Sequence, residues 1–305
     1  SHPHIEVRLF NPWTRRRGLL ARIVDTVLNA SRLNHRMHNK LFAADGYAAI
    51  VGGRNIGDEY LDLKTQMNFR DLDVLAVGPA AAETTASFDL YWNSKWAVPA
   101  AGLLDFTPSA ADLERVRAVL AAHRTRLADS PYLQALVSSP MAAQFDAQDI
   151  DLEFGTARVL ADDPSKVDAP TGDRSAFLIE ALRSHAEEAE HKLLISSPYF
   201  VPGKRGVAIL TALAAEGVRV SILTNSLAAN DVSIVHSGYA RYRAALLRGG
   251  VQLHELRETN GLTPRRRDRR RFGSEFVSLH AKYLVIDQHT LFVGSINLDP
   301  RSIVL

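Results

Sequence analysis

The sequence predicts an α/β fold built from two similar halves. Two observations carry that reading. One multi-position residue pattern occurs twice, and strands alternate with helices from about residue 172 onward. A length of 305 residues suits two domains or one large one, and a 46% hydrophobic content with near-even charge belongs to a globular protein.

Glu6 to Asn11 reads as a strand ended by the Asn11-Pro12 turn. Thr14 is a candidate N-cap for a helix whose apolar face is Leu19, Leu20, Ile23, Val24, Val27 and Leu28. A strand from about Met37 to Ala44, an Asp45-Gly46 turn and a strand from Tyr47 to Val51 give a hairpin signal. Asp71 to Val77 is a further strand, closed by Gly78-Pro79. Residues 99–170 hold more Ala, Pro and Ser and fewer strand signals. They read as a connector with helices, one capped by Ser109 with Leu113, Val116, Val119 and Leu120 on one face. Beyond the connector, helices at Ser175 to Glu190, Val207 to Ala215 and Val232 to Leu247 alternate with strands at Leu193 to Ile195, Val218 to Leu223 and Val251 to Leu256. The expected domains are therefore 1–98, an N-terminally incomplete first half; 99–170, the helical connector; and 171–305, a C-terminally incomplete second half.

The repeat supplies the chemistry. The first copy is His38-Asn39-Lys40 through Asp45 to Gly52-Gly53-Arg54-Asn55, and the second is His280-Ala281-Lys282 through Asp287 to Gly294-Ser295-Ile296-Asn297. Both copies place Lys two positions after His, Asp seven, Gly fourteen and Asn seventeen. A strand also precedes each copy, Val7 to Phe10 in one half and Val218 to Leu223 in the other. In a strand, residues i and i+2 share a face, so each His and its Lys point the same way. Asp45 and Asp287 fall on the opposite parity, at the hairpin turn, and are expected to be structural. Asn55 and Asn297 follow in Gly-containing loops, where backbone at Gly53 and Ser295 can approach a ligand.

A lone strand His is usually a satisfied structural residue. A half-buried Lys is costly without a reason, and the same pair twice needs a shared reason. Two imidazoles, two ammoniums and two amides suit a phosphodiester. Lys and Asn clamp its non-bridging oxygens, one neutral imidazole attacks phosphorus, and the other protonates the leaving alcohol. No Cys or acidic cluster with metal spacing accompanies them, so no metal and no cofactor are expected.

Other features bound the answer. The chain has no Cys, which excludes disulfides. No apolar run approaches the ~20 residues that a spanning helix needs, so membrane contact by these residues is expected to be peripheral. Arg265, Arg266, Arg267, Arg269, Arg270 and Arg271 form one basic run, read either as a solvated loop or as a patch for anionic lipid. Nucleic acid is not an expected partner, because no basic stripe with interleaved aromatics runs along the chain.

At the duplicated residues the sequence resembles the phospholipase D superfamily, with its paired His-x-Lys-x4-Asp motif and trailing Gly-Gly/Ser-x-Asn. Val51 through Tyr60, Asp71-Leu72-Asp73-Val74, Tyr91-Trp92-Asn93-Ser94, Pro198 through Gly203 and Asn297 through Ser302 resemble bacterial cardiolipin synthases, in particular the C type. The resemblance implies two α/β domains with mixed sheets flanked by helices, related by a pseudo-twofold axis, and an active site at their junction. It implies phosphatidyl transfer from a phospholipid, including phosphatidylethanolamine, to phosphatidylglycerol through phosphohistidine, at the bacterial cytoplasmic membrane. The alternative is a hydrolase or nuclease of the same superfamily; a non-catalytic relative is disfavoured because both His-Lys pairs are intact. It further implies that Asp71 orients a catalytic His, and that His236 lies near the substrate head group.

Overall fold

The structure is a computed structural model that describes residues 4–13, 18–29, 32–33, 35–61, 63, 67–103, 108–128, 130–168, 177–230, 232–257 and 276–300. Thr14, Ser175, Arg301-Ser302 and the Arg265–Arg271 run lie outside the described residues. The chain forms two compact units, one of residues 1–12 with 95–157, the other of 13–94 with 158–305.

In the first unit, β1 (Arg8–Phe10) pairs antiparallel with β6 (Ala97–Pro99), Leu9 opposite Val98. A strand does precede the first copy, but among the described residues β1 pairs with β6 and not with the sheet that holds the first His-Lys copy, unlike the Val218–Leu223 strand in the second half. Three helices follow, α3 (Ala110–Leu127), α4 (Pro131–Val137) and α5 (Pro140–Ala147). Ser109, Ser130 and Ser139 cap them, each hydroxyl accepting a backbone N–H three residues on. Asp112 completes a capping box with Ser109, and Pro opens α4 and α5, where a missing N–H costs nothing.

The second unit contains the rest. Parallel strands β7 (Lys192–Ser196), β8 (Arg219–Asn225) and β9 (Gln252–Leu256) are joined by crossover helices α7 (Gly203–Ala215) and α8 (Ser233–Arg248). The antiparallel hairpin β11 (Tyr283–Ile286) and β12 (Thr290–Val293) adds to β7, giving the order β12-β11-β7-β8-β9. Alternate residues of these strands (Leu193, Ile195, Val220, Ile222, Leu284, Ile286) form a core with Leu210, Leu213, Tyr239 and Leu246 of the helices. Ala186 of α6 (Leu178–Glu187) packs onto it.

A three-stranded sheet, β2 (Leu41–Ala44), β3 (Ala48–Gly52) and β5 (Asp73–Val77), holds the first copy of the repeat, with α2 (Pro79–Trp92) against it. The two hairpins match residue for residue. Leu41 faces Val51 and Ala44 faces Ala48; Tyr283 faces Val293 and Ile286 faces Thr290. Asp45 and Asp287 each open the turn with a left-handed backbone, φ 51° and 48°. Their surroundings differ: Phe42 is 65% exposed, its counterpart Leu284 only 8%. β11 has a strand on both edges, whereas β2 has only β3 among the described residues.

One correction concerns the His-Lys pairs themselves. β2 begins at Leu41 and β11 at Tyr283, so both pairs lie just before the strands rather than within them. For the second pair the reason is a crossing the sequence does not announce. β4 (Met67–Arg70) and β10 (Phe276–Leu279) pair in parallel, and at their end the Arg70 carbonyl accepts the N–H groups of both His280 and Ala281. A further helix, α1 (Leu19–Leu28), precedes the first copy. Among the described residues no helix is long and apolar enough to cross a membrane.

Candidate active site

The β4–β10 pair places the residue after Arg70 beside the residue after Leu279. The Asp71 carboxylate therefore accepts the Nδ1–H of His280 at 2.6 Å. A carboxylate has no proton to give, so the contact fixes the His280 tautomer with a proton on Nδ1. Burial pushes the Asp71 carboxyl up, but the His280 hydrogen bond and the charges of His280 and Lys282 outweigh it, holding Asp71 below the usual carboxylate range. Gly53 belongs to this contact. A Cβ there would stand 2.5 Å from Asp71 Oδ1, so what its bare backbone admits is the carboxylate.

Lys282 is 2% exposed, and its Nζ lies 3.2 Å from both ring nitrogens of His280 while donating to the His280 carbonyl. Burial and this ammonium lower the His280 pKa; the Asp71 hydrogen bond opposes them. The i and i+2 side chains thus share a face here without being in a strand.

His38 meets the same group from the other copy. Its pKa is pulled down to about 4, first by burial, then by Lys40 and Lys282, with His280 adding to the effect. The Ser295 carbonyl, accepting a hydrogen bond from the ring, works against that shift. The backbone of one copy's Gly/Ser loop therefore lies beside the other copy's imidazole. Lys40 donates to the His38 carbonyl at 2.9 Å, and burial lowers its pKa to about 8 against the opposing charge of Asp71. Both histidines, both lysines, Asp71 and the Ser295 backbone thus act on one another in one place.

The two Asn residues differ. Asn55 Nδ2 donates to Tyr60 Oη at 2.7 Å, and that oxygen lies 3.5 Å from His280 Nε2. Asn297 is 5% exposed, and its Oδ1 is buried without a hydrogen-bond partner. Turning the amide over would present Nδ2 instead, a donor for an anionic oxygen. Tyr60 escaped the sequence reading: its ring stands edge-on to His280 at 5.0 Å, with Phe69 5.2 Å away. Arg54, ion-paired to Asp73 at 2.6 Å, also donates to the Tyr60 carbonyl and fixes that turn.

The turn aspartates stand elsewhere. Asp287 accepts the backbone N–H groups of Glu190, His191 and Lys192, anchoring the start of β7, and these bonds hold its carboxyl at about 2. Asp45 occupies the equivalent turn. His236 lies on α8, packed edge-on to Tyr239 at 5.5 Å, with Nδ1 buried and unpartnered.

Comparison with known proteins follows the same residues. Residues 182–305 match the family described as cardiolipin synthase, PLD-like domain. The whole chain is 42% identical to cardiolipin synthase C of Escherichia coli (strain K12), covering 63% of that protein. An uncharacterized protein of Helicobacter pylori (strain ATCC 700392 / 26695) is 33% identical over 99% of the chain and 58% of its own length. The chain thus spans less than two thirds of these relatives. Phosphatidylserine synthase of Haemophilus influenzae Rd KW20 shares the fold: its crystal structure matches 99% of this chain and 68% of its own with a TM-score of 0.54 at 16% identity.

Proposed function

We propose that the chain, which matches the family described as cardiolipin synthase, PLD-like domain over residues 182–305 and is 42% identical to cardiolipin synthase C, is a phospholipase D-superfamily phosphatidyltransferase making cardiolipin from phosphatidylglycerol and a second phospholipid, phosphatidylethanolamine included. The observation that carries this reading is the pair of unlike imidazoles in one site. Burial and the neighbouring ammoniums lower both imidazoles. His38, at about 4, stays neutral and keeps a nucleophilic lone pair, whereas the Asp71 carboxylate offsets part of the fall at His280 and makes it the more readily protonated of the two.

In the first step a free ring nitrogen of His38 attacks phosphorus and the bond to the head-group oxygen breaks. His280 gives that oxygen its Nε2 proton. The lipid is then held on His38 through a P–N bond, as a phosphoramidate, with the positions of charge reversed: His280 is neutral and now acts as base. It takes the proton from a hydroxyl of phosphatidylglycerol, whose oxygen attacks phosphorus and releases His38. Lys40 and Lys282 offset the negative charge on the non-bridging oxygens, and Asn297 supplies an amide donor. Tyr60 and Asn55 hold the His280 side of the site.

Peripheral contact with an anionic membrane is part of the same proposal. α1 exposes Leu19, Leu20, Ile23, Val24 and Leu28 on its apolar face. Its one acidic residue, Asp25, is buried and bonded to Asn29. An amphipathic helix of this kind lies in the plane of a lipid interface.

The test is product identification. The protein is incubated in EDTA with labelled phosphatidylglycerol, with and without phosphatidylethanolamine. Labelled cardiolipin is the expected product, and more of it with phosphatidylethanolamine present. Phosphatidic acid alone would make the protein a hydrolase, and dependence on an added divalent ion would remove the metal-free mechanism.

A further inference from the structure

Between α6, α7 and the sheet face formed by β7, β11 and β12 lies a cavity of about 220 Å³. Its wall is carbon almost throughout: Leu182, Ala186, Phe200, Ile209, Phe292 and Leu298 are representative. Most of the polar side chains that border it are already engaged. Ser196 Oγ donates to the Ala281 carbonyl, and Glu180 pairs with both Arg183 and Arg205. With so few polar groups left over, the wall favours an apolar occupant.

The position of the cavity says what kind of apolar group can reach it. Lys282 forms part of its wall, and the same side chain brings its ammonium 3.2 Å from the His280 ring nitrogens. The cavity therefore begins beside the residue whose ammonium faces the His280 imidazole. An apolar group joined to a phosphodiester at that distance is a lipid tail. The volume is below the roughly 300–1,000 Å³ typical of pockets that enclose a whole small molecule, so it takes a segment of one chain rather than both.

We propose that this cavity is an acyl-chain subsite, which binds part of one fatty acyl chain of the phospholipid whose phosphate sits at Lys282 and His280. The proposal rests on the phosphatidyltransferase reading and adds to it a place where chain length is sensed. Burying methylenes in a preformed apolar space favours long-chain lipid independently of the membrane.

Ala186→Phe and Ile209→Trp each fill the space from a different helix. Both are assayed with dihexanoyl- and dioleoyl-phosphatidylglycerol in mixed micelles, alongside the wild-type protein. The expected result is a KM for dioleoyl lipid raised roughly tenfold or more, with turnover of dihexanoyl lipid close to wild type, which also shows that the variants fold. Equal effects on both lipids, or none, would overturn the subsite. A second measurement does not depend on any variant. Phosphatidylglycerol with a photoreactive diazirine at the chain end is crosslinked to wild-type protein. Adducts on α6, α7 or β12 support the subsite, and adducts confined to other segments overturn it. If wild-type protein turns over neither lipid, the phosphatidyltransferase reading has failed. If it turns over both and the variants do not discriminate, the subsite alone has failed.

Discussion

Asp71, which follows the first copy of the repeat, holds the Nδ1–H of His280, which opens the second, at 2.6 Å. The contact joins the two copies into one candidate site and is made by the parallel pairing of β4 and β10. Asp71→Asn keeps the shape but loses the charge that favours the His280 proton. It is expected to lower kcat by roughly two to four orders of magnitude while lipid binding persists. Steady-state kinetics of the variant check this; a loss confined to KM would assign Asp71 to substrate binding instead.

Lys40 should write a pH limb. Its ammonium, lowered to about 8 by burial, carries charge below that pH and loses it as pH rises through it. The kcat/KM of the free enzyme should therefore fall above about pH 8. Lys40→Arg keeps its charge well beyond that range, so whatever its absolute rate, its alkaline limb should shift upward. An unchanged limb in the variant would assign the titration to another group.

Asp287 contributes to stability rather than turnover. Its folded carboxyl, held at about 2 by three backbone N–H groups, lies below the ordinary aspartate value of ~3.9. A depressed pKa stabilises the fold above the unfolded value, and that contribution fades as pH falls through the folded one. Asp287→Asn should thus melt at a lower temperature than wild type at pH 7. The gap should narrow between about pH 4 and pH 2. A gap of constant size across that range would mean that the charge of Asp287 is irrelevant to the anchor.

The exposed face of α1 predicts membrane behaviour. Leu20→Asp with Ile23→Asp places charge where the proposal places acyl chains. Sedimentation with vesicles containing phosphatidylglycerol should show binding weakened at least roughly tenfold, with turnover of dihexanoyl lipid retained. Unchanged sedimentation would leave membrane contact to other segments.

The duplicated side chains were legible because phosphoryl chemistry needs given groups at given offsets, whatever the fold around them. The hairpin after each pair was legible too, since Asp45-Gly46 and Asp287 mark turns. What escaped the reading depends on long-range pairing. β4 and β10 are four residues each and bury Asn68 and Ser278, so their polar interiors conceal the strand pattern. Without that pair nothing in the sequence says which imidazole Asp71 faces. Tyr60 lies in a short 3-10 turn and reads as packing until its hydroxyl is seen against Asn55 and His280. The Ser295 carbonyl has no side-chain signal at all.

Covalent transfer through His38, with His280 as the acid and base, is tested most directly by trapping the intermediate. Wild-type protein mixed with phosphatidylglycerol, quenched within one turnover at alkaline pH and digested, should give a peptide whose His38 carries the phosphatidyl group. The adduct should disappear when a second alcohol is added before the quench, and His38→Ala should give neither adduct nor cardiolipin. Cardiolipin formation with no phosphohistidine at any time point, or an adduct on His280 in place of His38, would contradict the account.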